Sequence, residues 1–165
     1  SVQAGAEGVN IDGLKVKAAH ILLEDVRLDM GSLLRHNRIV VREARNAEVM
    51  MKVTEKDLAD YIAVKVKEAR NPSVKIMPDK VELNSEVDLG IAKLAVGVQG
   101  HIVGDDRSIR FVSDKLEIKN AGGIQFGALF AEIPLVDMKR LPIPVGVRKV
   151  VTEPGSIILY ADNHG

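Results

Sequence analysis

The chain has 165 residues with 23 basic and 23 acidic side chains, so its formal charge is zero and no overall field favours nucleic acid. It contains two tyrosines, three phenylalanines and no tryptophan, which leaves few rings for stacking nucleotide bases. The absence of cysteine excludes disulfides and thiolate metal sites, and 46% hydrophobic residues suffice for one buried core. We therefore expect one domain over residues 1–165 with no nucleic-acid partner.

The first third of the chain predicts strands separated by turns. Residues 1–11 are small and glycine-rich and suit an edge strand, and Asp12-Gly13 is a strong hairpin signal. A long strand with an irregularity near His20 is expected over residues 14–28, and residues 30–34 suit a single helical turn or a tight connection. Apolar residues recur at every second position in much of residues 38–53, which predicts another strand.

The clearest helix signal begins at Thr54. Thr54-Glu55-Lys56-Asp57 has the spacing of a capping box, in which the first and fourth residues satisfy each other's backbone N–H groups. Asn71-Pro72 is expected to end the helix, because the residue before proline avoids helical angles. The sequence therefore predicts one long helix between these two signals. Its apolar stripe, with one polar member, consists of Leu58, Tyr61, Ile62, Lys65, Val66 and Ala69.

Residues 81–118 carry the strongest strand pattern. Apolar and polar residues alternate from Val81 to Ile91, which is the period of a strand with one buried face. The alternation then shifts by one residue at Gly90 and again near Val112. Such a shift turns every side chain to the other face, so it needs a bulge or a tight turn. We expect one of these at both places, with Gly90 as the hinge of the first.

After this stretch the pattern changes. Residues 124–133 are apolar at helical spacing and predict a short helix, which Pro134 ends. Residues 135–141 form a second short segment, and Pro142-Ile143-Pro144 must be extended. The turn Glu153-Pro154-Gly155-Ser156 lies between two apolar runs and predicts a closing hairpin.

Together these elements predict an α+β fold, in which a strongly curved antiparallel sheet wraps its apolar face around one long and one or two short helices. If the curvature is tight, helix side chains fill the interior and the core is solid. If the sheet encloses more space than the helices occupy, an aliphatic cavity remains that fits a lipid or another long apolar ligand. The sequence leaves both outcomes open.

Two short motifs give the chain a family resemblance. Val53-Thr54-Glu55-Lys56-Asp57-Leu58 opens the helix, and Leu141-Pro142-Ile143-Pro144 precedes the last hairpin. With the order of hairpins around them, residues 12–161 resemble the DUF2993 or LmeA-like family of bacterial envelope proteins. The resemblance implies a TULIP-like fold with a long helix in a bent sheet, phospholipid binding and an extracytoplasmic location. Because the chain opens at Ser1 without methionine, we also expect an upstream signal or anchor segment.

Under the lipid-binding hypothesis, the apolar stripe of the long helix and the apolar segment after residue 124 would contact the ligand. Lys139 and Arg140 would meet a phosphate head group as charged hydrogen-bond donors. The alternative is that the apolar residues form ordinary core and that both cations lie in a solvated turn. The candidate apolar contacts are Leu58, Ile62, Val66, Phe126, Leu129, Phe130, Leu135 and Met138.

A group of arginines suggests a second kind of contact. Arg35, Arg38, Arg42 and Arg45 follow one another closely, which is typical of a surface that meets anionic lipid head groups. Glu43 interrupts the group, and a solvated strand face is the alternative interpretation. A peripheral membrane contact is therefore one expectation for this chain.

The sequence offers no catalytic constellation. Its histidines are scattered at positions 20, 36, 101 and 164, and none shows zinc spacing. Neither a nucleophile-elbow motif nor a phosphate-binding loop is present. We therefore expect a non-enzymatic envelope protein that binds phospholipid or another long apolar ligand and uses no cofactor. The alternative is a structural or protein-interaction module with a filled core that forms a homodimer or docks a partner.

Overall fold

A computed structural model describes residues 2–28, 30–36, 41–88, 90–91, 93–119, 130–141 and 143–164. Within these residues the chain forms ten strands, two α-helices and one 3₁₀ turn. In chain order they are β1 (Val2–Ile11), β2 (Leu14–Leu28), α1 (Met30–His36), β3 (Val41–Thr54), α2 (Glu55–Lys65), β4 (Ala69–Met77), β5 (Lys80–Asp88), β6 (Lys93–Gly104), β7 (Ser108–Lys119), β8 (Glu132–Asp137), the 3₁₀ turn (Met138–Arg140), β9 (Gly146–Glu153) and β10 (Ser156–Asp162).

The strands form two five-stranded antiparallel sheets. The first sheet has the order β1-β2-β3-β10-β9, and the second has the order β4-β5-β6-β7-β8. One of the two sheets curls into a half-barrel, which agrees with the predicted curved antiparallel α+β fold. The prediction had a single sheet, whereas the strands divide between two. Helix α2 packs mainly against β4 and β2, so it joins the two sheets at the core.

The predicted turn between β1 and β2 is confirmed. Asp12 and Gly13 both have positive φ angles, 51° and 94°, as a tight two-residue hairpin turn requires. The backbone N–H of Gly13 also donates to Asn10 Oδ1 at 2.8 Å. The turn fixes the register of the hairpin, in which Ile11 lies opposite Leu14.

The capping box of α2 is also confirmed. The Asp57 N–H donates to Thr54 Oγ1 and the Thr54 N–H donates to Asp57 Oδ2, each at 3.2 Å. Helix α2 ends at Lys65, because Val66 already has extended angles. The predicted long helix is therefore not confirmed, and α2 has 11 residues.

The predicted stop signal for this helix lies inside a strand instead. Ala69 pairs with Val87 of β5, so the chain is already part of the second sheet before it reaches Asn71-Pro72. The register of β4 shifts between Arg70 and Ser73, and Asn71 has a φ angle of 48°. Proline donates no ladder hydrogen bond, and a bulge in an edge strand is a place where a sheet tolerates it.

The two predicted shifts in residues 81–118 have different causes. Gly90, with a φ angle of 80°, lies in the connection between β5 and β6, so the shift there comes from the expected turn and not from a bulge. The shift near Val112 is a true bulge. Gln99 pairs with Lys115 and Gly100 pairs with Ser113, which leaves one extra residue on β7 between them.

The predicted helix over residues 124–133 is wrong at its end. Residues 120–129 lie outside the described part of the chain, but Ile133 belongs to strand β8 and pairs with Phe111. Pro134 sits within β8, which is an edge strand and therefore tolerates it. A 3₁₀ turn follows, in which Asp137 Oδ1 accepts from the backbone N–H of Lys139 at 3.0 Å.

The closing hairpin is confirmed and helps to tie the sheets together. β9 and β10 pair around Gly155, which has a φ angle of 85°. The Gly155 N–H donates to the carbonyl of Ile76 in β4 at 3.0 Å. The Ile76 N–H in turn donates to Glu55 Oε2 at 2.7 Å, so the first residue of α2 joins the same network.

Candidate functional site

An apolar cavity of about 350 Å³ lies between the first sheet and the segment that follows the 3₁₀ turn. Strands β1, β2 and β3 form one wall, and Leu141 and Ile143 contribute to the other. This volume is at the lower end of the roughly 300–1,000 Å³ that small-molecule sites occupy. The strand residues that present aliphatic side chains to it include Ala4, Ala6, Ala19, Ile21, Val49 and Met51.

The cavity exists because small residues face one another on neighbouring strands. Ala6 pairs with Ala19, which pairs with Met51 on the next strand, and Ala4 pairs with Ile21. Directly opposite residues share one face of a sheet, so these methyl groups point to the same side. Longer aliphatic side chains at Ala4 and Ala6 would occupy this space, and the alanines leave it open.

Charged groups lie at the edge of this apolar space. Arg140 lines the cavity, and its Nη1 forms an ion pair with Asp12 Oδ1 at 3.2 Å. Both side chains are largely exposed, so water reaches the pair and screens it. A guanidinium beside an apolar pocket matches the two parts of a lipid, an acyl chain and an anionic head group.

Tyr61 of α2 connects the Asp12-Gly13 turn with β8. Its hydroxyl donates to the carbonyl oxygen of Pro134, and its ring lies close to Gly13. Burial of the ring raises the pKa of the Tyr61 hydroxyl, and the negative charge of Asp12 raises it further. The folded protein therefore favours the neutral form of this phenol.

Replacing Tyr61 with phenylalanine is expected to lower the free energy of unfolding by about 1 kcal/mol near neutral pH, because one hydrogen bond is lost. The raised pKa also makes the native protein lose stability as pH rises past the ordinary tyrosine pKa of about 10, where the unfolded chain ionises first. Tyr61→Phe should flatten this alkaline loss in urea titrations. Tyr160→Phe, which removes an exposed hydroxyl, is the matched control, and an equal flattening in it would contradict the assignment.

The predicted head-group residues have separate surroundings. Arg140 borders the 350 Å³ cavity. Lys139 instead lines a second, more open groove of about 590 Å³, together with Arg107 and Arg148. Leu141 and the neighbouring Ile143 lie between the cavity and this groove and contribute to both.

The predicted apolar contacts lie mainly in the core. Those on or just after α2 are at most 8% exposed and pack between the sheets, and those of β8 and the 3₁₀ turn are equally buried. Two of the residues are outside the described part of the chain. None of the described ones lines the 350 Å³ cavity, and as ligand contacts they stay a prediction. The buried residues are Leu58, Ile62, Val66, Phe130, Leu135 and Met138, and the undescribed ones are Phe126 and Leu129.

The residues that line the cavity were not singled out from the sequence. A signal was present in Ala4-Gly5-Ala6, because three small residues in succession leave one strand without side chains that fill space. Their partner Ala19 becomes recognisable only once the register of β1 and β2 is known. Small residues on two paired strands are therefore the pattern that indicates this site.

Among the described residues, no group of three or more histidine, aspartate or glutamate side chains is placed to hold a metal ion. In the same part of the chain, no helix is both long and apolar enough to cross a membrane.

One of three comparisons with known proteins found a match. A family model described as LmeA-like phospholipid-binding matches residues 1–162, which is nearly the whole chain. No curated protein and no solved structure matches the chain. Since the match extends over both sheets and the cavity between β1 and Ile143, the chain belongs to the LmeA-like phospholipid-binding family.

Proposed function

We propose that this protein binds a phospholipid, or another long apolar ligand, without catalysing a reaction, and that the acyl chain occupies the cavity above Ala19 and Met51. The observation that carries the proposal is the apolar cavity of about 350 Å³ with a charged pair at its edge, in a chain of a phospholipid-binding family. Its size favours one acyl chain within the cavity rather than a whole lipid.

Burial of hydrocarbon supplies most of the binding free energy. Each methylene that leaves water contributes about 0.8 kcal/mol, so five buried methylenes contribute about 4 kcal/mol. The aliphatic lining offers few hydrogen bonds to water, so a chain that enters displaces little well-bound solvent. The ligand class that fits is therefore one with a flexible hydrocarbon chain.

Arg140 is the residue that would receive an anionic head group. Its ion pair with Asp12 is exposed and therefore weak, so a phosphate can replace the carboxylate at little cost. A guanidinium also binds phosphate through two parallel hydrogen bonds, which fixes the orientation of the ligand. Arg140→Gln should weaken binding of anionic lipids more than binding of a neutral lipid with the same chains.

The place of action follows from the same proposal. We place the protein in the bacterial cell envelope, outside the cytoplasm, where a carrier or a store of phospholipid meets the membrane. The core residues Leu58, Ile62 and Leu135 remain proposed contacts for the case in which a ligand opens the space between the sheets.

Mass spectrometry tests the cavity directly. Wild-type protein measured under native conditions, with parallel lipid extraction, is expected to carry one co-purified lipid. Ala6→Phe is expected to lose this lipid, because the ring extends from the exposed rim into the cavity. Loss of four methylene contacts would weaken binding by about 3 kcal/mol, which is more than a hundredfold.

Ala95→Phe is the matched control, since Ala95 is an exposed alanine in β6, a strand of the other sheet. It should keep the lipid. Equal lipid content in the two variants would contradict this location of the site. A wild-type protein without lipid that is a dimer at micromolar concentration would instead favour the structural or protein-interaction module.

A further inference from the structure

We propose that the tip formed by α1 and the adjoining ends of β2 and β3 docks onto the surface of an anionic phospholipid bilayer. This tip comprises residues 27–28, 30–36 and 41–42 among those described. It lies outside the 350 Å³ cavity, and the proposal goes beyond the lipid binding proposed above. It would assign a membrane-facing end to the molecule.

The first observation is that α1 is only lightly packed: Gly31, Ser32 and Leu33 are half-buried, and its other four residues are exposed. None of its residues is buried, although helices of this kind are normally held by an apolar face. Leu34 is 80% exposed and Met30 is 55% exposed, and Leu28 at the end of β2 is 41% exposed. Single exposed apolar residues are ordinary, but three on one hairpin connection form a patch that water solvates poorly.

The second observation is the position of the tip. Leu28 and Val41 form the last pair between β2 and β3, and α1 lies beyond it. The pairing of β1 with β2 ends at Leu23, so the strands continue for five residues as a ribbon past the edge of β1. At about 3.3 Å per residue this is about 17 Å, which places α1 at one end of the first sheet.

The third observation is local charge. Between residues 27 and 45 the sequence has five arginines and two acidic residues, whereas the whole chain has a formal charge of zero. Among the described residues, no ion pair of Arg35 or Arg42 is found, while Arg27 and Arg45 pair with neighbouring carboxylates. Arginines without an ion pair to a described residue, next to exposed leucines, complement a bilayer with anionic head groups.

A polar cavity lies at the same place. It has a volume of about 310 Å³, and Arg35, His36 and Arg42 line it together with Gly31 and Ser32. Two guanidinium groups around one cavity suit the phosphate of a lipid head group, because each offers a planar pair of donors. The apolar side chains of the tip would enter the bilayer interface beside this phosphate.

Flotation with vesicles tests the proposal. Wild-type protein is expected to float with vesicles of equal parts phosphatidylglycerol and phosphatidylcholine and to stay unbound with phosphatidylcholine alone. Arg35→Gln/Arg42→Gln should weaken partitioning about thirtyfold, since each cation near the surface contributes roughly a factor of five. High salt should also release the wild type, because the screening length falls to roughly 3 Å at 1 M.

Matched variants separate this surface from general effects. Lys75→Gln/Lys93→Gln removes the same charge from exposed positions elsewhere and should float as the wild type does. Leu34→Ser should bind more weakly, whereas Ile91→Ser, at a position 92% exposed in the β5–β6 connection, should not. Because these side chains are exposed, each of these variants should have nearly the same melting temperature as the wild type.

Three results would overturn the proposal. One is equal flotation on neutral and anionic vesicles, and another is an equal loss in the arginine and lysine variants. The third is a wild type that ignores vesicles but forms a dimer that Leu34→Ser disrupts, which would assign the tip to a second copy of the chain. Ala6→Phe should still float, so failure of the cavity proposal is distinguishable from failure of this one.

Discussion

Replacing Gly100 with alanine is expected to lower the free energy of unfolding by about 3 kcal/mol, at the upper end of what overpacking costs. Gly100 is buried in β6, and a Cβ atom there would overlap the backbone oxygen of Val112 and lie 2.6 Å from Phe111 Cζ. The ring is itself only 2% exposed, and the oxygen belongs to the neighbouring strand. Neither can move without disturbing the sheet, so the strain cannot relax locally.

Urea unfolding measures this loss as a lower midpoint with an unchanged slope. If Gly100→Ala is too unstable to purify, Phe111→Leu in the same chain should recover part of the stability, since it removes the ring and leaves the oxygen of Val112 in place. Where Gly100→Ala can be purified, a double-mutant cycle with Phe111→Leu isolates the ring contact.

Gly97→Ala is the control for the general effect of glycine in a strand. Gly97 lies on the same strand, and its Cβ would lie 3.2 Å from Asn84 Oδ1, the end of an exposed side chain, and at an ordinary 4.0 Å from the backbone oxygen of Glu117. That variant should be neutral or more stable by about 0.5 kcal/mol, because alanine restricts the unfolded chain. A similar loss in both variants would mean that the close approach of β6 and β7 is not the cause.

Local signals in the sequence were enough for the turns and the start of α2. Asp12-Gly13 and the capping box of Thr54 and Asp57 depend on residues within three positions of one another, so the chemistry is visible in one short window. Period-2 alternation likewise identified β5, β6 and β7, since one face of each strand is buried. The bulge near Val112 was found for the same reason.

Some sequence signals are compatible with two different local structures. Which of the two forms depends on strand pairing with residues far away in the chain. Asn71-Pro72 is compatible with the end of a helix and with a bulge in an edge strand. The pairing of Ala69 with Val87 selects the second solution, because it places the chain in a sheet before the proline. Ile133 has helical spacing from its neighbours but packs as a strand residue against Phe111 for a similar reason.

The candidate site was the feature that the sequence predicted least. The ion pair at its edge joins Arg140 to Asp12, which are 128 positions apart in the chain. Its volume depends on the alignment of Ala6 with Ala19, which is a consequence of register and not of composition. Arg140, which borders the cavity, was nevertheless among the predicted head-group residues, because a cation after an apolar segment is a short-range pattern. The apolar contacts predicted from the helix lie in the core instead of this cavity.

The same enlargement at two alanines of the first sheet is expected to have opposite consequences. Ala47→Leu in β3 should lower the free energy of unfolding by about 1–3 kcal/mol, because Ala47 is 0% exposed and does not line the 350 Å³ cavity. Ala19→Leu in β2 should change stability by less than about 1 kcal/mol, since the new carbons enter the apolar cavity and bury surface there. Urea titration of both variants measures the difference.

Lipid content provides the second measurement on this pair. Ala19→Leu should lose co-purified lipid in proportion to the volume that the side chain fills, whereas Ala47→Leu should keep lipid in whatever fraction remains folded. The stable variant would thus be the one that loses its ligand, which is the reverse of a general folding defect. If both substitutions cost the same stability, the space above Ala19 is not open in solution, and the filled-core module would then be the better description of the protein.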